Sequence, residues 1–187
     1  KPNIGMLSDE FLEDVKNLPQ RNLAVELLEK LLRDEVKARM KNDVVSEKKY
    51  SDRILETLRK YHNRAIETAQ VIEELIELAK TMEEDLAQAE KLGLSEDEIA
   101  FYRALIQNES AVRKMNDSNL RELAKYITAQ LRKSTTIDWQ VRDSVRAKLR
   151  NLVRRALKKW KYPPDGADDA IDLCLQQAEV LSNSWTQ

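Results

Sequence analysis

The sequence predicts an all-α fold: an irregular bundle of about six to seven helices built on one long central helix. Three observations carry this. Apolar residues recur every three or four positions from Ser46 to about Leu92 as one uninterrupted helical pattern. No segment alternates apolar and polar residues as a half-buried strand does, and no internal repeat is present. Hydrophobic residues make up 42% and charged residues 35% of the chain, a balance that suits a folded, charge-studded helical protein.

Taken in order, residues 1–7 form a lead-in, and Ser8 caps a short helix to about Val15 that carries Phe11 and Leu12 on one side. Pro19 stands where a helix start tolerates it, and Leu23, Leu27, Leu28, Leu31, Leu32 and Val36 continue at helical spacing to about Met40. The central helix follows, with Tyr50, Ile54, Leu58, Tyr61, Ala65, Ala69, Ile72, Ile76 and Ala79 in its main row. Ile66, Leu75 and Leu78 widen that row. The mean step lies near 3.6, which suits a straight helix rather than a heptad supercoil. At roughly 1.5 Å per residue it spans about 70 Å, with Thr81–Met82 the candidate position for a break.

Gly93 ends this helix, and it is also the candidate position for a hinge between subdomains within one helical domain, residues 8–187. Ser95 and Glu98 have capping-box spacing and open a helix carrying Ile99, Tyr102, Leu105 and Ile106. Asp117 or Ser118 caps the next helix, with Leu120, Leu123, Ile127 and Leu131. Thr135–Asp138 interrupts, and a basic helix runs from about Trp139 to Tyr162. Pro163-Pro164-Asp165-Gly166 is the strongest turn signal. The last helix holds Ile171, Leu175, Ala178 and Leu181.

The composition also narrows the chemistry. The chain has 3 Gly, 1 His and 1 Cys, the residue types that most often hold phosphates, metals or reactive groups. His62 has no ligating neighbour, and position 59 is Arg where a Glu-x-x-His di-iron motif needs Glu. Cys174 between two leucines reads as a small buried side chain, and metal ligands are not expected. The run Asp97-Glu98-Ile99-Ala100 imitates a helicase acidic box, but a capping turn precedes it instead of an apolar strand. Glu35-Val36-Lys37 imitates half of a nuclease signature, but within a helix. No phosphate-binding glycine loop is present, and catalytic residues are not expected. A lone Cys with no signal peptide or membrane-length apolar run fits a cytoplasmic setting without membrane contact. The opening Lys1-Pro2-Asn3, without Met, is what a piece of a longer protein would show.

A formal net charge of −1 hides two opposed stretches. Residues 67–98 hold eleven acidic residues against Lys80 and Lys91, while 140–161 hold nine basic residues against Asp143. Within the basic helix Arg142, Arg146, Arg150, Arg154 and Lys158 recur every four residues as a cationic ridge. Beside it lies an apolar stripe of Val141, Val145, Leu149, Leu152, Ala156 and Trp160. Such a ridge suits an anionic surface: DNA phosphates, an acidic partner protein, or the chain's own acidic stretch. From the residues alone the chain is a helical interaction domain.

Three longer runs carry a resemblance. They are Phe11–Ala24 (FLEDVKNLPQRNLA), Ala69–Ile76 (AQVIEELI) and Thr136–Arg150 (TIDWQVRDSVRAKLR). Together they resemble the C-terminal helical domain of the R subunit of type I restriction enzymes, over about Ser8 to Leu181. The resemblance implies a parent subunit that cleaves and translocates DNA using ATP and Mg2+ in upstream nuclease and motor domains. It implies that the helical region docks that subunit onto the methyltransferase (M) subunit. No catalytic residue maps onto this chain, so the expected function is noncatalytic assembly. The alternative is a helical module contacting the DNA backbone through the basic helix 140–161. An enzyme with an unrecognised site is the third reading.

Overall fold

The computed structural model describes residues 8–134 and 142–185, the side chain of Arg142 excepted. Among them the fold is all-α, with nine helices. These are α1 (Asp9–Lys16), α2 (Arg21–Arg39), α3 (Val44–His62), α4 (Thr68–Glu90) and α5 (Glu96–Ile106). The others are α6 (Glu109–Lys114), α7 (Asp117–Ser134), α8 (Arg142–Lys159) and α9 (Ala167–Trp185). Two compact units divide the chain: the first holds residues up to Lys41 and Ser46–Lys91, the second Asn42–Val45 and the chain from Leu92 onward.

In the first unit α1, α2, α4 and most of α3 enclose one apolar core. Ser8 caps α1 as expected, its hydroxyl accepting the Phe11 amide at 3.2 Å. The core takes Leu12 and Val15 from α1, Leu28 and Leu32 from α2, Tyr50 and Ile54 from α3, and Ile72, Leu75 and Met82 from α4. Leu23, expected in this row, is instead 49% exposed. The inward face of α2 is set by Ala24, Val25, Leu28 and Leu32, and Leu23 falls outside that arc.

The long apolar pattern is two helices, of which α4, at 23 residues, is the longest in the described chain. They are separated at Asn63–Glu67 rather than at Thr81–Met82, which lies within α4. The separation is a C-terminal cap: the Ala65 amide returns to the Lys60 carbonyl at 2.9 Å, with Arg64 between them at φ +55°. Ala65 and Ala69, placed in the buried row by periodicity, are exposed beside this turn. Alanine favours a helix on either face, so its spacing says little about burial.

The second unit packs α5, α7, α8 and α9 around Phe101, Leu105, Leu123, Ile127, Leu149, Val153, Ile171, Leu175 and Leu181. Ser95 and Glu98 form the expected capping box on α5, at 3.2 and 2.9 Å. The α7 cap is Asn116 rather than Asp117 or Ser118, because the Asn116 Oδ1 accepts the Asn119 amide at 2.7 Å. Asp117 is engaged elsewhere, by Arg121 at 2.9 Å and by the Tyr102 hydroxyl. Gly93 and Gly166 both take the left-handed conformation at the turns read from the sequence, φ +70° and +81°. The extra helices relative to six or seven come from the α3–α4 turn and from short α6, capped by Asn108.

Candidate functional site

Helix α8 is the most cationic element of the chain, and its surroundings decide which charges remain available. Its inward stripe is Val145, Leu149, Val153, Ala156 and Leu157, with Leu152 and Trp160 half-buried. Val141, expected in that stripe, lies outside the described residues. Once the stripe faces the core, a ridge stepping by four residues cannot stay on one side. Each step turns about 40° beyond a full revolution, so the row winds around the helix.

The structure shows the consequence. Arg146 pairs with Glu179 at 3.6 Å, and Arg150 with Asp172 at 2.6 Å, both carboxylates on α9. Arg154 donates to the Asn151 Oδ1 at 3.1 Å, and Lys158 is exposed and makes no ion pair with a described residue. Arg142 begins the helix, and its side chain is outside the described residues. The ridge is thus partly neutralised by α9. The acidic stretch pairs within its own units: Glu74 with Lys60, Glu83 with Arg39, Asp85 with Lys49, and Asp97 with Arg132.

A different set of cations forms the solvent side of α8. Lys148, Arg155 and Lys159 stand at i, i+7 and i+11, within about 40° of one line along the helix. All three are exposed, as is Lys161 just beyond the helix end at φ +58°. Lys148, Arg155, Lys158 and Lys161 make no ion pair with a described residue. The 3.6-residue period of the apolar stripe held the signal for this face; the four-residue spacing of the arginines obscured it.

Beside Lys159 lies an aromatic pair. The rings of Tyr126 (α7) and Trp160 have centroids 4.7 Å apart, tilted by 43°. The Lys159 ammonium sits 4.8 Å from the Tyr126 ring centre and 5.1 Å from that of Trp160. Both rings are half-buried and packed against the core of the unit, which holds them in place.

The other candidate reactive residues are Cys174 and His62. Cys174 is fully buried, and burial pushes its thiol up to about 12, so no thiolate forms near neutral pH. His62 is exposed beside an open cavity of about 930 Å³ in the first unit, shared with Asn22, Tyr61, Arg64 and Thr68. No group of three or more His, Cys, Asp or Glu among the described residues is placed to hold a metal ion. No helix among them is long and apolar enough to cross a membrane.

Residues 1–184 match a family described as "Type I restriction enzyme HindI endonuclease subunit-like, C-terminal". The chain belongs to this family. It is 44% identical over 186 residues to the type I restriction enzyme HindI endonuclease subunit of Haemophilus influenzae, covering 100% of this chain and 18% of that protein. A protein of Methanocaldococcus jannaschii, provisionally named the type I restriction enzyme MjaIXP endonuclease subunit, is 31% identical over 166 residues. That match covers 85% of this chain and 15% of the relative, so the chain spans less than a fifth of either. No solved structure matches.

Proposed function

We propose that this chain is a noncatalytic assembly domain that docks a type I restriction endonuclease subunit onto its methyltransferase core. The observation that carries the reading is the match of residues 1–184 to the C-terminal part of such subunits. In the proposal the parent subunit performs ATP- and Mg2+-dependent translocation and DNA cleavage in the cytoplasm. This domain supplies surface rather than chemistry. Its many exposed charges would steer encounter with the core and exclude wrong partners.

The test is size-exclusion mixing of the chain with the cognate methyltransferase core, with and without a DNA duplex. Co-elution without DNA is expected. Failure to co-elute under both conditions would remove the docking role.

A second reading is favoured by one observation: Lys148, Arg155 and Lys158 on the exposed side of α8, and Lys161 just beyond its end, make no ion pair with a described residue. On this reading α8 contacts the DNA backbone. Affinity for a duplex would then fall steeply with salt, because phosphate binding releases condensed counterions. Co-elution with the core only when duplex is present, or a salt-dependent duplex affinity, supports it.

A further inference from the structure

We propose that the end of α8 and the neighbouring face of α7 form a stacking platform for single-stranded nucleic acid. The inference extends the backbone-contact reading of α8 and rests on it. It adds a component that phosphate contacts alone do not require, namely the aromatic pair.

Three features converge there. The Tyr126 and Trp160 rings, 4.7 Å apart, are fixed from below by the core and remain partly exposed. Lys148, Arg155 and Lys158 on the solvent side of α8, and Lys161 just past its end, are exposed and make no ion pair with a described residue. From residue 148 to 161 this row extends about 20 Å. Lys159 joins the two features, since its ammonium lies over both rings.

A rigid, half-buried ring loses little freedom when a base stacks on it, and every base offers a π face. In a duplex those faces are already stacked on neighbouring bases, and only base edges and the sugar-phosphate backbone are presented to the protein. Two half-buried rings edged by Lys159, with the cations of the solvent side of α8 beyond it, therefore favour an unpaired strand. In the free chain the Lys159 ammonium covers the rings. A base stacking there displaces it toward the adjacent phosphate, so one contact is exchanged for two.

The test compares a fluorescein-labelled oligothymidine with a labelled duplex of equal length, each titrated with the 187-residue chain at several salt concentrations. The expected result is tighter binding of the single strand. Trp160→Leu should weaken that binding roughly tenfold while leaving duplex affinity unchanged, the scale of one base–aromatic stack. Circular dichroism establishes that the variant is folded. Because Trp160 also packs on the core, a second measurement keeps the experiment decisive: in a Trp139→Phe, Trp185→Phe background, the oligothymidine should quench the remaining Trp160 fluorescence. Equal affinity for single strand and duplex with no quenching would overturn the platform and leave the backbone-contact reading standing. No binding of either at low salt would overturn both.

Discussion

Gln177, fully buried on α9, accepts the amide of Val44 at the start of α3, with Oε1 to N at 2.9 Å. Its Nε2 donates to the carbonyl of Asn42 at 2.6 Å. One side chain thus satisfies a donor and an acceptor of the Asn42–Val45 segment and makes that segment part of the second unit. Arg103 supports it by pairing with Asp43. The first amides of a helix have no partner within the helix, so a buried amide oxygen from elsewhere is an effective cap.

Gln177→Leu keeps a comparable volume but strands both backbone groups. Removing one partner of a buried hydrogen bond costs about 1–3 kcal/mol per group left unsatisfied. The expected loss is therefore about 2 kcal/mol or more, measured by urea unfolding. A change below about 0.5 kcal/mol would show that water or a neighbouring side chain replaces Gln177.

Gly93 and Gly166 share a left-handed φ yet should respond differently to alanine. A Cβ at Gly93 meets nothing within 4 Å, so Gly93→Ala carries only the backbone cost, about 1 kcal/mol. A Cβ at Gly166 would lie 2.7 Å from the Asn108 Nδ2, and that side chain is committed. It donates to the Asp165 carbonyl at 2.8 Å and accepts the Ser110 amide at 3.0 Å as the cap of α6. Gly166→Ala must break these bonds or shift the turn, so it should destabilise by about 2 kcal/mol more than Gly93→Ala. Thermal melts of the two variants side by side decide this; equal melting points would mean Asn108 relocates without cost.

These cases also show what was legible beforehand. Signals confined to a few neighbouring residues came through: the Ser8 cap, the Ser95–Glu98 box, and the turns at Gly93 and Gly166. The α3–α4 turn did not, because its left-handed residue is Arg64 and neither Gly nor Pro marks the place. Gln177 was invisible for another reason: its partners lie more than 130 residues away along the chain. The cationic character of α8 was evident, but which cations face solvent follows from its inward stripe. That stripe directs Arg146 and Arg150 to carboxylates of α9 and leaves Lys148, Arg155 and Lys159 outside.

Arg64 itself supplies a further prediction. It occupies the position after α3 where glycine is favoured, and a residue with a Cβ is strained there. The cap bonds are made by backbone groups and do not depend on the side chain. Arg64→Gly should therefore raise stability by about 1 kcal/mol, seen as a higher melting temperature. A lower melting temperature would mean the arginine side chain contributes more than its backbone costs.

Stability should fall in alkali, in a window set by three buried or half-buried groups. Burial pushes Cys174 from an ordinary 9.0 up to about 12 and Tyr162 from 10.0 up to about 12. Burial, with the hydrogen bond to Asp117, does the same for Tyr102. Each group loses its proton more readily in the unfolded chain than in the folded one. Their contribution is fully present below about pH 9 and is lost as pH rises from there through about 12. Tyr162 also donates to the buried Leu105 carbonyl at 2.7 Å, a bond its ionised form cannot make. Urea unfolding at pH 8 and pH 11 should show this loss, and Cys174→Ala should make the decline shallower while lowering stability at pH 8. An unchanged slope in that variant would place the alkaline sensitivity elsewhere.

Charge reversals on α8 separate folding from binding. Arg150 and Asp172 are each more than a third exposed, so their attraction is a modest surface pair, within about 1 kcal/mol. Arg150→Glu replaces attraction with repulsion between α8 and α9 and should cost about 1 kcal/mol. Combining it with Asp172→Arg should restore most of that loss, the signature of a direct pair in a double-mutant cycle. Lys148→Glu with Arg155→Glu touches no ion pair and should change stability by no more than about 0.5 kcal/mol. Urea unfolding of the wild type and these three variants, with Asp172→Arg alone to close the cycle, checks both statements. The comparison governs every binding experiment on this helix. A loss of partner or DNA binding in Arg150→Glu can arise from altered α8–α9 packing, whereas the same loss in Lys148→Glu with Arg155→Glu reports the exposed cationic face itself. If the Lys148 and Arg155 reversals destabilise as much as Arg150→Glu, that face is part of the fold's own charge balance and is not available to a ligand.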